Sequence, residues 1–170
     1  MRKFIKYANP AISHWEIERL VRMVRDEVIG GTVLEIGVHR GGSALVWKRF
    51  LFPHCLVGID YDGSADAPNG MHLITGRSQD PDIIESALAA VDDRIDFLFI
   101  DGGHREDEVA SDWSTFFPAV RRGGVIALHD IHAPETDEVQ VALLWDKIRY
   151  AYKTAEIWDP SSTGIGVVFK

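Results

Sequence analysis

The stretch Val33-Leu34-Glu35-Ile36-Gly37-Val38-His39-Arg40-Gly41-Gly42-Ser43 decides the fold. Val33 to Ile36 is a short apolar run of the kind that forms a buried strand, and Ala44 to Phe50 continues at helical spacing. The glycines between them allow backbone angles that other residues resist. They also let a ligand lie against the main chain at a helix N-terminus. A strand, a glycine loop and a helix in that order are how open α/β sheets hold nucleotide-like ligands. The dinucleotide fingerprint G-x-G-x-x-G would need glycine at position 39, which is His39. Glu35 opens the loop instead. A carboxylate repels a pyrophosphate but suits a ligand that carries an amino group and a sulfonium.

Outward from this unit, strands and helices alternate. A helix is expected from Ser13 to Val28, with Ser13 and Glu16 as a capping box. Gly30-Gly31 ends it. After the first strand, Thr32 to Ile36, come strands at Cys55 to Asp60, Met71 to Thr75 and Ile95 to Ile100. Pro81 to Val91 reads as a helix with proline in its first turn. Arg105 to Val120 reads as another, with Val109, Trp113, Phe116, Phe117 and Val120 on one face. Gly123-Gly124 is expected to turn the chain into the strand Val125 to Leu128. A helix over 139–152 and strands near 154–158 and 165–169 complete the pattern. This order implies an α/β fold: a mostly parallel sheet, helices on both faces and an antiparallel C-terminal hairpin. One Rossmann-like domain of residues 1–170 is expected, with 1–30 as a helical N-terminal segment and 31–170 as the core.

The composition narrows the function. The chain has 170 residues, which suffices for one domain and not for two. Its formal net charge is −8, and no run of Lys and Arg could follow a phosphate backbone, so a nucleic-acid partner is not expected. Cys55 stands alone, which rules out an intrachain disulfide and a Cys-rich zinc site. No apolar run reaches membrane-spanning length, and the N-terminus lacks the apolar stretch of a signal peptide. A cytoplasmic location and no membrane partner are the expectation. There is no G-x-S-x-G elbow, no phosphate-loop lysine motif and no H-E-x-x-H helix.

In sheets of this kind ligands sit beyond the C-terminal ends of the strands. The polar punctuation of this chain falls at those ends. Asp60 closes the second strand, where an acid can accept the hydroxyls of a ribose, with Asp62 as a competitor. Ser78 and Gln79 follow the third strand. They could bond an adenine edge with Tyr61 against its face, or Ser78 could simply cap the next helix. Asp101-x-x-His104 and His129-Asp130 end the next two strands. Carboxylates and imidazoles there could ligate a divalent ion, and His104 has a pKa range suited to removing a hydroxyl proton. The structural alternative is that His104 caps a helix and His129 packs beneath a loop. His132 stays open.

Together, VLEIGVHRGGSA, TGRSQDPDII, DFLFIDGGHRED and GGVIALHDI resemble class I S-adenosylmethionine-dependent methyltransferases over about residues 30 to 130. Within these they resemble the metal-dependent O-methyltransferases, which include catechol O-methyltransferase and the group named after macrocin and cephalosporin modification. The resemblance implies roles position by position. Glu35 would face the methionine amino group, Gly37 and Gly41 would shape the loop, and Ser43 would meet the methionine carboxylate. Asp60 would hold the ribose, with Tyr61, Ser78 and Gln79 around the adenine. Asp101, His129 and Asp130 would align with the metal ligands, with Asp101 also beside the cofactor, and His104 with the general base. Catechol-type enzymes carry lysine at the base position. The first residue of the His129-Asp130 pair is usually an acid in such enzymes, and imidazole here favours manganese or another transition ion beside magnesium.

The expected activity is methyl transfer from S-adenosylmethionine to a hydroxyl of a small molecule, sugar-like rather than catechol. A long inserted lid is absent, so the site is open or is completed by a second subunit in a homo-oligomer. Two other classes compete. A metal-dependent hydrolase could use Asp101, His129, Asp130 and His132, but has no need of Glu35, the glycine loop or Asp60. A non-catalytic S-adenosylmethionine-binding domain could keep the same fold.

Overall fold

Apolar strands too short and too uniformly buried to expose a face must be covered on both sides, and they are. The computed structural model describes residues 1–8, 10–63 and 65–170. Its strands are β1 (Thr32–Ile36), β2 (Cys55–Asp60), β3 (His72–Thr75), β4 (Ile95–Ile100), β5 (Val120–His129), β6 (Lys153–Ile157) and β7 (Ile165–Phe169). They form one seven-stranded sheet in the order β3-β2-β1-β4-β5-β7-β6. β1 to β5 run parallel, and β7 pairs antiparallel with both β5 and β6. The expected parallel sheet with an antiparallel C-terminal pair is what forms.

The helices are α1 (Arg2–Ala8), α2 (His14–Val28), α3 (Gly42–Phe50), α4 (Pro81–Ala90), α5 (Glu106–Phe116) and α6 (Val141–Ile148). Side chains alternate across β1: Leu34 and Ile36 join the core beneath α4, α5 and α6, while Val33 joins the core beneath α1, α2 and α3. On the second face Trp47 is fully buried against Phe97 and Phe99, with ring centroids 5.3 Å away in each case. No helix among the described residues is long and apolar enough to cross a membrane.

Arg2–Ala8 forms a short helix ahead of the one expected from Ser13, with Ile5 and Ala8 buried. Two local expectations are corrected. Gly123-Gly124 does not turn the chain. β5 runs through it as an irregularity, Gly123 adopts φ +75°, and its N–H donates to the Lys170 carbonyl at 2.6 Å. The capping box at α2 forms only in part. Ser13 Oγ accepts from the Glu16 N–H at 3.2 Å, but the Glu16 carboxylate turns inward to the Gly164 N–H at 2.8 Å.

The order of the strands places the functional edge. From β1 the chain winds outward through β2 to β3, then returns to β4 on the other side of β1. The crevice between the C-terminal ends of β1 and β4 is therefore the switch point at which such sheets bind ligands. Trp47 fixes α3 over this region. Trp47→Ala should cost about 3–5 kcal/mol, the usual range for truncating a large buried aromatic. Urea unfolding measures it, and a cost below about 1 kcal/mol would mean that α3 is held by something other than this aromatic cluster.

Candidate active site

The loop after β1 is shaped by one close approach. Gly37 adopts φ +90°, and a Cβ built there would lie 2.0 Å from the Asp101 carbonyl oxygen. No side chain fits. Gly37 donates to the Ile59 carbonyl at 2.9 Å, and Asp101 N–H donates to Ile36 at 2.8 Å. The three central strands are thus laced together where they open. Gly41 also has positive φ, +68°, and a Cβ there would meet the Asp66 carbonyl at 2.0 Å.

Around this opening lies a cavity of about 780 Å³. One end is lined by Gly37, Ser43, Asp60, Tyr61, Ser78 and Gln79, and the other by Asp101, His104, His129 and Asp130. The structure therefore brings together all but three of the residues singled out from the sequence; His132 lies outside the cavity, 2.9 Å from Glu156 Oε2. Gly41 only shapes the turn before α3. Glu35 is fully buried and does not line the cavity. Its carboxyl lies beneath Ser43 and shares a hydrogen bond with that hydroxyl. Burial pushes Glu35 up to about 8, with Ser43 opposing the shift and the nearby Asp101 charge adding to it.

Asp60 reaches across to the neighbouring loop. Its two oxygens accept the N–H groups of His39 at 2.7 Å and Asp62 at 2.8 Å. Each oxygen keeps a second acceptor position. Tyr61 stands at the cavity mouth, 81% exposed, free to cover a planar ligand. Gln79 donates its amide to both Ser78 Oγ and Asp112 Oδ1 at 2.9 Å each.

At the other end the histidines differ in depth. His104 has a side chain 38% exposed and its Nε2 lies 2.8 Å from Asp130 Oδ2 and 3.8 Å from Asp101 Oδ1. His129 is 11% exposed and lies deeper. Its Nδ1 is 3.1 Å from Asp101 Oδ1 and 3.4 Å from Asp130 Oδ1. Its Nε2 lies 3.3 Å from Thr163 Oγ1 and 4.0 Å from Glu16 Oε2. Burial alone would lower His129, but its bonds to Asp101 and Asp130 prevail and carry it up to about 10. His104 is raised chiefly by its bond to Asp130. Burial would raise Asp130, yet the two imidazoles outweigh it and hold that carboxyl well below the ordinary range.

Asp101, His104 and Asp130 each offer a ligand atom within 4.8 Å of the others. Two carboxylates and an imidazole with open space beyond them fit magnesium or manganese. Of the expected trio, His129 lies deeper, its Nδ1 against Asp101 and Asp130 and its Nε2 near Thr163, while His104 stands at the open side of the carboxylates. Asp130 itself has φ +65°, an uncommon angle for a non-glycine residue, which turns its carboxylate back toward both rings.

Residues 34–131 match the family described as a methyltransferase domain. The chain belongs to that family. Demethylmacrocin O-methyltransferase of Streptomyces fradiae is 30% identical to this methyltransferase domain over 129 residues, covering 69% of the chain and 32% of the relative. L-olivosyl-oleandolide 3-O-methyltransferase of Streptomyces antibioticus is 30% identical over 128 residues, with 69% and 32% covered. The chain thus spans about a third of the length of these curated relatives. Two solved structures share the fold. MycE methyltransferase from the mycinamycin biosynthetic pathway, in complex with Mg, SAH and mycinamycin VI, superposes with a TM-score of 0.73 at 21% identity, over 99% of this chain and 52% of that one. An O-methyltransferase from Bacillus cereus in complex with SAH gives 0.71 at 18% identity, over 99% and 88%.

Sequence reasoning missed Glu16, Thr163 and Asp112 as parts of this site. Asp112 carried a signal: it falls with Val109, Trp113 and Phe116 on the buried face of α5, an acid where an apolar residue is expected. Glu16 was absorbed by the capping reading.

Glu35 makes stability depend on pH. Its carboxyl is raised from 4.5 unfolded to about 8 folded, so its contribution is fully present below 4.5 and is lost as pH rises through about 8. Glu35→Gln should remove this decline, and its urea midpoint should overtake that of the wild type toward pH 8. Equal slopes for both proteins between pH 5 and 8 would mean that Glu35 is not held neutral.

Proposed function

We propose that this methyltransferase domain moves the sulfonium methyl of S-adenosylmethionine to a hydroxyl of a small, sugar-like molecule. One observation carries the reading: a single cavity joins the glycine loop, Asp60 and Gln79 at one end to the Asp101, His104 and Asp130 cluster at the other. A hydrolase would need only the second end. The sugar-bearing antibiotics in the names of the relatives support an acceptor of that kind.

In this reading Asp60 accepts ribose hydroxyls with its remaining lone pairs, and Ser78 and Gln79 meet the adenine with Tyr61 over its face. Ser43 and the first N–H groups of α3 receive the methionine carboxylate. Glu35 acts through Ser43, whose hydroxyl it orients, rather than by touching the ligand. The glycine loop allows the sulfur to lie against the backbone next to Asp101.

The reaction is a displacement: the oxygen–methyl bond forms as the sulfur–methyl bond breaks, and the hydroxyl proton leaves to a base. The protein must align oxygen, methyl and sulfur. Asp101 and Asp130 would supply the oxygens for a divalent ion, which would lower the pKa of the acceptor hydroxyl as a Lewis acid. His104 is the accessible imidazole and takes the proton at Nε2. At present its Nε2–H donates to Asp130; the ring can act as base only as the neutral tautomer with its hydrogen on Nδ1, which would leave Nε2 as the acceptor. His129, deeper and bonded to both carboxylates, orients them.

Calorimetry with S-adenosylhomocysteine should show binding, and Asp60→Ala should weaken it by about 1–3 kcal/mol. Binding of NAD with no response to either adenosyl ligand would overturn the reading. A second measurement separates the histidines. Asp130→Asn should abolish Mn(II) binding followed by electron paramagnetic resonance, with S-adenosylhomocysteine affinity little changed. His104→Ala should retain Mn(II) yet slow single-turnover methylation by about 10²–10⁴-fold on an acceptor found by screening hydroxylated sugars. Loss of Mn(II) from the His104 variant would make that ring a ligand and dismiss it as the base.

A further inference from the structure

Behind the loop after β3 lies a carboxylate that the reaction does not use. Asp112 on α5 is completely buried, and its Oδ2 has no hydrogen-bond partner among the described residues. A buried acid is costly unless it is paired, so its presence on an otherwise apolar helix face calls for a reason. Its neighbours supply one. Asp112 Oδ1 accepts from Gln79 Nε2 at 2.9 Å, and the same nitrogen donates to Ser78 Oγ at 2.9 Å.

The directions of these bonds follow from one fact. A carboxylate only accepts. Gln79 must therefore turn its NH2 toward Asp112. Both hydrogens of that amide are then committed, one to Ser78 Oγ and one to Asp112 Oδ1. The amide cannot flip without placing its oxygen against a carboxylate. Its Oε1 is left as the atom with capacity for another partner, on a half-buried residue that lines the cavity. Burial raises Asp112 to about 6, with Ser78 and Gln79 opposing the shift, so the acid is still ionised at neutral pH.

We infer that Asp112 is a positioning residue for nucleoside recognition: it locks Gln79 with its carbonyl oxygen toward the cavity, so that the site takes a 6-amino purine and rejects a 6-oxo purine. The inference rests on the reading that this end of the cavity holds the adenosyl group. An exocyclic amine donates to Oε1. An oxo group at the same position sets two acceptors against each other, which leaves a half-buried polar atom unpaired.

The test compares S-adenosylhomocysteine with S-inosylhomocysteine by calorimetry, in the wild type and in Asp112→Asn. The wild type should prefer the adenosyl ligand by about ten- to a hundredfold. The substituted amide keeps the shape of the carboxylate but both donates and accepts, so Gln79 can present either end of its own amide, and the preference should fall to below about threefold. A purely structural Asp112 would change melting temperature and weaken both ligands alike, leaving the ratio intact; an unchanged ratio overturns the inference. Equal binding of both ligands by the wild type also overturns it, while the adenosyl reading stands. Failure of the wild type to bind either ligand overturns that reading instead. Asp112→Ser provides the same test where the Asp112→Asn variant does not fold: a hydroxyl both donates and accepts, so Gln79 is no longer locked and the ratio should fall by at least about threefold.

Discussion

The contact between Gly37 and the Asp101 carbonyl is the constraint on which the site depends. Any Cβ at position 37 would lie 2.0 Å from that oxygen. This closeness lets the loop after β1 and the end of β4 meet at one point, with Gly37 bonded to Ile59 and Asp101 bonded to Ile36. A nucleotide-side loop and a reactive carboxylate that would otherwise stand a side chain apart are brought together. On the proposed reading, that approach sets the methyl donor beside the acceptor oxygen. Distances of this kind matter because displacement is sensitive to misplacement of about an ångström.

The same economy of space explains why acids cluster here in so many states. Asp60 is satisfied by two backbone N–H groups. Asp130 is satisfied by two imidazoles, and Asp101 shares His129 with it. Glu35 meets Ser43 and Trp47, and burial outweighs both and drives it toward its neutral form. At the opposite end of the sheet Asp96 shows what a full set of donors does. Burial would raise it, but Arg121 and the Thr32 N–H hold it below its ordinary value. One residue type thus takes different charge states within one domain, according to which donors the fold delivers.

Much of this was legible in the chain. Strand order, the glycine loop and the acids at strand ends follow from local signals: apolar runs, Gly37 and Gly41, and polar residues placed immediately after buried strands. What was not legible is what depends on distant segments meeting. Glu16 satisfies a local capping pattern, and only the packing of α2 beside Gly164 turns it inward. His104 and His129 look equivalent as imidazoles near Asp101. Their roles part because β5 carries His129 under the carboxylates while the start of α5 leaves His104 at the cavity. No spacing in the sequence tells which ring nitrogen reaches which oxygen. Asp112 was readable as an anomaly on a buried helix face, but its partners lie in a loop that the helical pattern does not mention.

The arrangement also bears on how a turnover would end. On the proposed reading, Asp60, Asp101 and Asp130 line the cavity as acceptors in a chain of net charge −8. The acids not offset by His129 or by an ion favour a cationic sulfonium over a neutral thioether, since a partly buried charge is screened less than one in bulk water. Methyl transfer removes that charge from the sulfur. The attraction that helps draw in the donor is then absent from the product, while the contacts to ribose, adenine and methionine carboxylate are unchanged. Only the portion of binding that senses the reacting centre is altered by the chemistry.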